Sequence, residues 1–431
     1  MLNLDAITNE PIDGLIKGLP PNIAPLPLAA IGTQGWHLLR GDLPFPQAVI
    51  RDTALAHNHA WMRDFTNATG VLLAPHGKTT MAPQIFAQQL DAGAWGITVA
   101  TVQQLEVCVR FGVRRVLMAN QLLGRSAVRE VVRLRETHRD LEFHFLIDSE
   151  AQLRLIEAEV RQLAPSRRLT ALLELGIPGG RTGCRTATQA LDLARAIAAS
   201  SVVDLSGIEC YEGLQITGDS ARDAEFVGGL MGAVKDLALA CDREKLFAGP
   251  VIILTAGGSA AFDIVARELP TRLSLPVQTI LRSGCYVTHD SGFYDRMLER
   301  VKARSGGAWQ SRPGLQPALE VWAQVQSRPE PALALLTMGK RDASFDLDLP
   351  IAKWHFRAGR NTPVQRAPTE WKISAMNDQH AYLRVPDNAD IDVGDLIGSG
   401  ISHPCTTFDK WRVLLTVDDD YRITGAIRTF F

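Results

Sequence analysis

The sequence predicts an α/β fold: a (β/α)8 barrel followed by a smaller, mainly β domain. Three observations predict it. From about residue 71, short Val-, Ile- and Leu-rich runs alternate with longer amphipathic stretches, the pattern of strand-helix units around a parallel sheet. Eight such units fill about 250 residues, the usual size of such a barrel. After Tyr294 the rhythm stops at the turn-rich Ser305 to Gly314, and beyond it the apolar residues recur every second position. A doubly wound open sheet is the second choice, but no GxGxxG follows the first strand.

The expected strands cover residues 71–75, 96–99, 115–118, 143–147, 169–174, 205–211, 251–254 and 277–281. Between them, helical patterns run over 82–92, 102–111, 126–138, 149–163, 188–199 and 223–240. Residues 318–326, 381–385 and 411–417 alternate as strands do, and residues 357–369 read as a long loop. Residues 1–45, with Pro20-Pro21 and Pro25, look like an arm that packs on the β domain. The predicted organisation is therefore an arm (1–45), a barrel (46–304) and a β domain (305–431).

Of 431 residues, 46% are hydrophobic and 21% charged, which excludes a disordered chain. A net charge of −2 supplies no field for nucleic acid or an anionic membrane. No signal peptide or bilayer-length apolar run is visible, so a cytoplasmic protein is expected. The six cysteines lack any CxxC pair and read as reduced thiols.

Barrel active sites lie at the C-terminal strand ends, which directs attention to Lys78 in Pro75-His76-Gly77-Lys78-Thr79. An amine there, desolvated or beside cations, can form a Schiff base; a surface or ion-paired lysine is the plainer alternative. Gly257-Gly258-Ser259 follows the seventh strand, where backbone N–H groups can approach a phosphate. Gly179-Gly180-Arg181-Thr182-Gly183 is a second such loop, and each taken alone reads equally as a plain turn. His403 and Cys405 stand at i and i+2, on the same face of an extended chain, and an imidazole with a thiolate suits zinc. A lone pair of this kind is more often a structural cysteine beside an unrelated histidine. His57 and His59, two apart on a helix, diverge.

Taken in order, Pro75–Thr79, the strand end at Thr101, Arg181–Gly183, Tyr211, Gly257–Ser259, Gly284-Cys285-Tyr286 and Ser402–Thr406 resemble D-threonine aldolases and eukaryotic-type D-serine dehydratases. These are fold-type III pyridoxal-phosphate enzymes, with an alanine-racemase-like barrel and a β domain carrying a metal pair. The resemblance implies that Lys78 binds pyridoxal 5'-phosphate covalently, with His76 supporting it. By the same resemblance Arg181, Tyr211 and Tyr286 line the cofactor, Gly257, Gly258 and Ser259 hold its phosphate, and His403 with Cys405 binds a metal. Cysteine at the second ligand leans toward the zinc-dependent dehydratases, whereas aldolases more often carry aspartate with manganese or magnesium. Three departures stand out: the phosphate loop has fewer glycines than its relatives, Asn377-Asp378-Gln379-His380 replaces a Glu-His pair, and the N-terminal arm and the 357–369 loop make the chain longer than the aldolases and more similar to bacterial amino acid deaminases.

The implied reaction converts a D-β-hydroxy amino acid to a 2-oxo acid and ammonia, with cleavage to glycine and an aldehyde as the alternative. A racemase, a non-catalytic cofactor-binding protein and a barrel with a merely structural Lys78 are weaker readings. The resemblance also implies a homodimer, in which the β domain of one chain closes the barrel mouth of the other.

Overall fold

The parallel strands of the computed structural model, Leu72–Leu73, Ile97–Val99, Arg115–Gln121, Glu142–Ile147, Leu169–Glu174, Val203–Glu209, Ile252–Ala256 and Val277–Leu281, form one eight-stranded sheet. Residues 2–305, 307–360 and 363–431 are described. The sheet closes on itself where His76 bridges to Thr98 and the Thr98 N–H donates to the Pro75 carbonyl at 2.9 Å. All eight strands expected from the sequence are present, because residues buried on both faces leave continuous apolar runs.

Successive side chains point to opposite faces of each strand, and the barrel uses both. One set, including Val116, Phe143, Phe145, Ala171, Leu173 and Leu254, packs against the helices. The other set, Ala74, Leu117, Leu146, Leu172, Ile253 and Ile280, joins Trp95 in an apolar plug inside the barrel. Strand crowding at that plug admits only glycine at 207, where a Cβ would lie 1.9 Å from the Ile253 carbonyl oxygen. Two residues beyond the plug the same inward face turns polar, with Glu174, Thr255 and Arg282 buried at the strand ends.

The second domain is antiparallel and built around Leu319–Glu330, which pairs with Leu396–Gly400 and Leu333–Leu336. Gln47–Arg51 also pairs with this strand and lies parallel to Val413–Val417. The sequence boundary at residue 46 therefore moves: 47–51 belong to the β sheet, and the chain crosses to the barrel at the helix Asp52–Thr69. In the arm, Ile7, Ile12, Leu28, Ile31 and Leu38 share one apolar cluster with Trp322, Phe356, Val413 and Ile423 of the β domain. Gln365–Arg366 forms a short strand inside the segment read as a loop, of which Asn361 and Thr362 lie outside the described residues. Among the described residues no helix is long and apolar enough to cross a membrane.

The β domain touches the barrel mouth of its own chain. The Ser291 N–H donates to the Ile401 carbonyl at 2.8 Å, and the Phe430 N–H to Met81 at 2.9 Å. These contacts bring the loop carrying residues 402–405 against the turn after the first barrel strand.

Candidate active site

Lys78 sits in the 3-10 turn Gly77–Thr79 just past the first strand, and its side chain is exposed with no hydrogen bond or ion pair among the described residues. Close packing sets this turn, since a Cβ at Gly77 would lie 2.9 Å from Phe86 and Ile97 side-chain carbons. His76 anchors it through its backbone, while its Nδ1 is buried without a partner. Burial, then the charges of Lys78 and Arg282, hold the His76 imidazole well below the usual range, so it is neutral.

Arg181 lies over the Tyr211 ring at 5.2 Å. Its loop is clamped by Arg185, which donates to the carbonyls of Gly180, Arg181 and Thr182 at 3.0, 2.8 and 2.6 Å. Burial, followed by the Glu212 charge, pushes the Tyr211 phenol up to about 12.

The glycine loop differs from the sequence expectation. The Glu212 carboxylate, wholly buried, accepts the N–H of Gly257 at 3.1 Å and that of Gly258 at 2.6 Å. Those two donors, expected to hold phosphate, already have an anion. The Ser259 hydroxyl and the N–H groups of Ser259 and Ala260 have no protein acceptor among the described residues, so the anion-binding capacity is displaced along the loop.

Tyr286 is also misplaced by the sequence reading. Its ring stands edge-on to His59 at 6.2 Å and its hydroxyl pairs with Gln89, which sets it in the core against the helices rather than in the mouth.

Beneath these groups lies a buried polar network that sequence reasoning missed. Arg282 is ion-paired with Glu209 and donates to the Thr255 hydroxyl at 2.9 Å and the Cys210 carbonyl at 3.0 Å. Glu174 accepts from Gln121 and from Thr182 at 2.6 Å. Burial pushes the Glu209 carboxyl up to about 8 despite the opposing Arg282 charge, and its Oε2 has no partner.

His403 and Cys405 do converge, but through a turn rather than an extended chain. His403 has a left-handed φ of 55°, and Cys405 opens the short helix Cys405–Phe408. The strained backbone is held by Asp290, which accepts the His403 N–H at 3.1 Å and those of Gly292 and Asp295 at 3.0 and 2.9 Å. His403 Nδ1 donates to Asp346, leaving Nε2 as the ligating nitrogen, and Asp346 also accepts from Thr406 at 3.0 Å.

A third ligand-capable group is present. Cys285 Sγ lies 3.6 Å from Cys405 Sγ, and the ligand atoms of Cys285, His403 and Cys405 are all within 4.8 Å of one another. Cys405 Sγ is also 3.5 Å from the hydroxyl of Thr79, the residue after Lys78. Hydrogen bonds with Cys285 and then His403, with the His403 charge behind them, hold the Cys405 thiol well below its usual range against burial, and the bond to Cys405 pushes Cys285 up. Burial opposes charge on His403, but Cys405 and Asp346 outweigh it and push the imidazole up to about 9. All six cysteines are free thiols.

Residues 50–261 match the family described as alanine racemase, N-terminal domain, and residues 318–417 the one described as putative serine dehydratase domain. The chain is 31% identical over 403 residues to the D-threo-3-hydroxyaspartate dehydratase of Delftia sp. (strain HT23), an overlap covering 90% of this chain and 97% of that one. The chain belongs to the D-threonine aldolase and D-serine dehydratase family of fold-type III pyridoxal-phosphate enzymes. It is 23% identical over 428 residues, 96% of each chain, to a D-threonine aldolase of Arthrobacter sp. The crystal structure of D-threonine aldolase from Filomicrobium marinum has the same fold, with a TM-score of 0.75 at 22% identity over 92% of this chain and 97% of that one. So does a cysteine-to-alanine mutant of D-threo-3-hydroxyaspartate dehydratase in a metal-free form, with a TM-score of 0.68 at 22% identity over 92% and 99%.

The mouth fits the family's cofactor. It offers an unpaired amine at Lys78, a cationic ring-stacked wall at Arg181 and Tyr211, free anion donors at Ser259, and unpartnered buried atoms at His76 and Glu209. His380 is exposed in the turn between the strands Lys372–Met376 and Ala381–Arg384 of the β domain and joins none of these groups.

Proposed function

We propose that this chain is a pyridoxal-phosphate- and zinc-dependent dehydratase that converts D-β-hydroxy amino acids, such as D-serine, D-threonine or 3-hydroxy-D-aspartate, to 2-oxo acids and ammonia. The observation that carries this reading is the Asp346-backed His403–Cys405 pair lying against the Lys78 turn of its own chain. An imidazole and a thiolate favour zinc over the harder manganese or magnesium.

Pyridoxal phosphate, when bound, supplies an electron sink for charge developing at Cα. Lys78 would hold it and then, once displaced by the substrate amine, remove the Cα proton as a general base. Arg181 and Tyr211 would wall the ring, and Ser259 would take the phosphate. His403 and Cys405 would hold a zinc ion, which would supply Lewis acidity at the β-hydroxyl. Asp346, bonded to His403 Nδ1, would hold the imidazole in place for that ion.

Elimination is favoured over aldol cleavage by where the bases stand. Cleavage needs a base at the β-hydroxyl, yet Asp346 is committed to His403 and Thr406, and Asp290 to three backbone N–H groups. Elimination needs a base at Cα, and Lys78 is unpaired. The 31% identity to a dehydratase supports the same choice.

Product analysis after incubation with D-threonine, pyridoxal phosphate and zinc tests the proposal. 2-Oxobutyrate with ammonia supports elimination; glycine with acetaldehyde establishes the aldolase instead. A homodimer forms part of the proposal, although the metal pair already reaches the lysine turn of its own chain through Thr79. Light scattering on a size-exclusion column checks it, and a fully active monomer removes it.

A further inference from the structure

We infer that Cys285 is a third protein ligand of the metal, making a Cys2His centre rather than a two-residue clamp. The inference rests on the metal reading above and adds a ligand to it.

Geometry carries the argument. Two thiolates on one tetrahedral zinc, each about 2.3 Å from the ion, stand about 3.8 Å apart. Cys285 and Cys405 are 3.6 Å apart, near that spacing and far beyond the roughly 2.05 Å of a disulfide. His403 completes a triangle with every side within 4.8 Å, and with Nδ1 engaged by Asp346 its Nε2 is the nitrogen that would ligate.

Cys285 is placed by the backbone rather than by chance packing. It follows Gly284, where a Cβ would lie 2.6 Å from both the His76 carbonyl oxygen and the Thr79 hydroxyl. Only glycine lets the turn after the eighth barrel strand press this closely on the lysine turn. The result seats a buried thiol, 6% exposed, opposite Cys405 of the other domain. The centre therefore ties three segments together: the turn at 284–286, the lysine turn through Thr79, and the loop at 402–405.

The chemistry has three consequences. Two thiolates and a neutral imidazole balance a divalent ion, which suits a site largely shielded from water. A second soft ligand strengthens the preference for zinc over manganese and magnesium. Three protein ligands leave one tetrahedral position, enough for a single substrate oxygen. Binding should therefore select substrates with one hydroxyl presented to the ion rather than those that need two metal contacts.

X-ray absorption at the zinc edge of the wild-type holoenzyme tests this without any variant. Two sulfur scatterers at about 2.3 Å are expected, and one sulfur overturns the inference while leaving zinc on His403 and Cys405 intact. Cobalt substitution gives a second readout. Cys285→Ser should keep about one cobalt per chain, as expected for a four-coordinate site, yet lose half of the sulfur-to-cobalt charge-transfer absorbance. Its zinc affinity should fall more than about 100-fold in competition with a chelator, beyond the loss typical of an outer-shell change. Unchanged absorbance and affinity overturn the third ligand. Wild-type protein that takes up no metal overturns the metal reading itself. A purified chain lighter by two hydrogens, with Cys285 and Cys405 in one cross-linked peptide, overturns the inference in favour of a disulfide.

Discussion

Replacing Glu212 with glutamine probes how the barrel mouth is organised, because the sign of the effect on cofactor affinity separates two roles for the carboxylate. Glu212 is fully buried and bonds the N–H groups of Gly257 and Gly258 at 3.1 and 2.6 Å. If it is an anchor, it fixes the loop so that the Ser259 side meets the phosphate. Glutamine keeps one acceptor oxygen but sets its NH2 against the other amide. A charge-assisted hydrogen bond is worth about 1.5–3 kcal/mol and an unsatisfied buried donor costs about 1–3 kcal/mol. The local loss is therefore about 2.5–6 kcal/mol, shared between folding and loop order. If about 1.4 kcal/mol of it falls on the loop, pyridoxal phosphate binds about tenfold more weakly. Titration of cofactor-stripped protein, followed by tryptophan quenching, measures this, and urea unfolding of the same samples measures the share taken by stability. Tighter binding by Glu212→Gln refutes the reasoning, because it means that the carboxylate competes with phosphate for the two amides.

Two further outcomes are expected. Asp346→Asn removes the charge that orients His403 and should weaken zinc binding about 10–100-fold in chelator competition; an unchanged affinity removes Asp346 from the metal site. His59 is buried, and burial brings its pKa down from 6.5 to about 4. The folded state therefore binds fewer protons than the unfolded chain between these values, so stability falls as pH drops from 6.5 through 4. A shift of this size is worth roughly 3 kcal/mol. Urea midpoints at pH 7 and pH 4.5 should differ less in His59→Phe than in wild type, and an equal difference shows that another group sets the slope.

The barrel was legible because its strands are buried on both faces and leave apolar runs that helices interrupt at regular intervals. The β domain was legible in outline from its two-residue alternation. What crossed between domains was not. Gln47–Arg51 reads as the approach to the barrel, yet it pairs with Leu319–Glu330 far along the chain, and nothing local marks that partner. Asp346 lies 57 residues from the histidine it orients. Cys285 is 120 residues from Cys405, so spacing alone could not join them.

Residue parity shows how close the sequence came at the eighth strand end. Ile280 points into the barrel and Arg282 follows it on the same inward face, whereas Leu281 packs outward. The resemblance drew attention to Gly284-Cys285-Tyr286 as a unit and gave the mouth to the aromatic residue, the larger and more obvious cofactor neighbour. In the 3-10 turn Cys285–Val287, adjacent side chains cannot share one direction, so the mouth receives either the thiol or the phenol. Tyr286 has a ready place beside His59 and Gln89, where its ring is buried and its hydroxyl is paired. Cys285 is thereby turned toward Cys405. The same packing that removes Tyr286 from the cofactor turns the Cys285 thiol toward Cys405, so one turn accounts for both departures at this strand end.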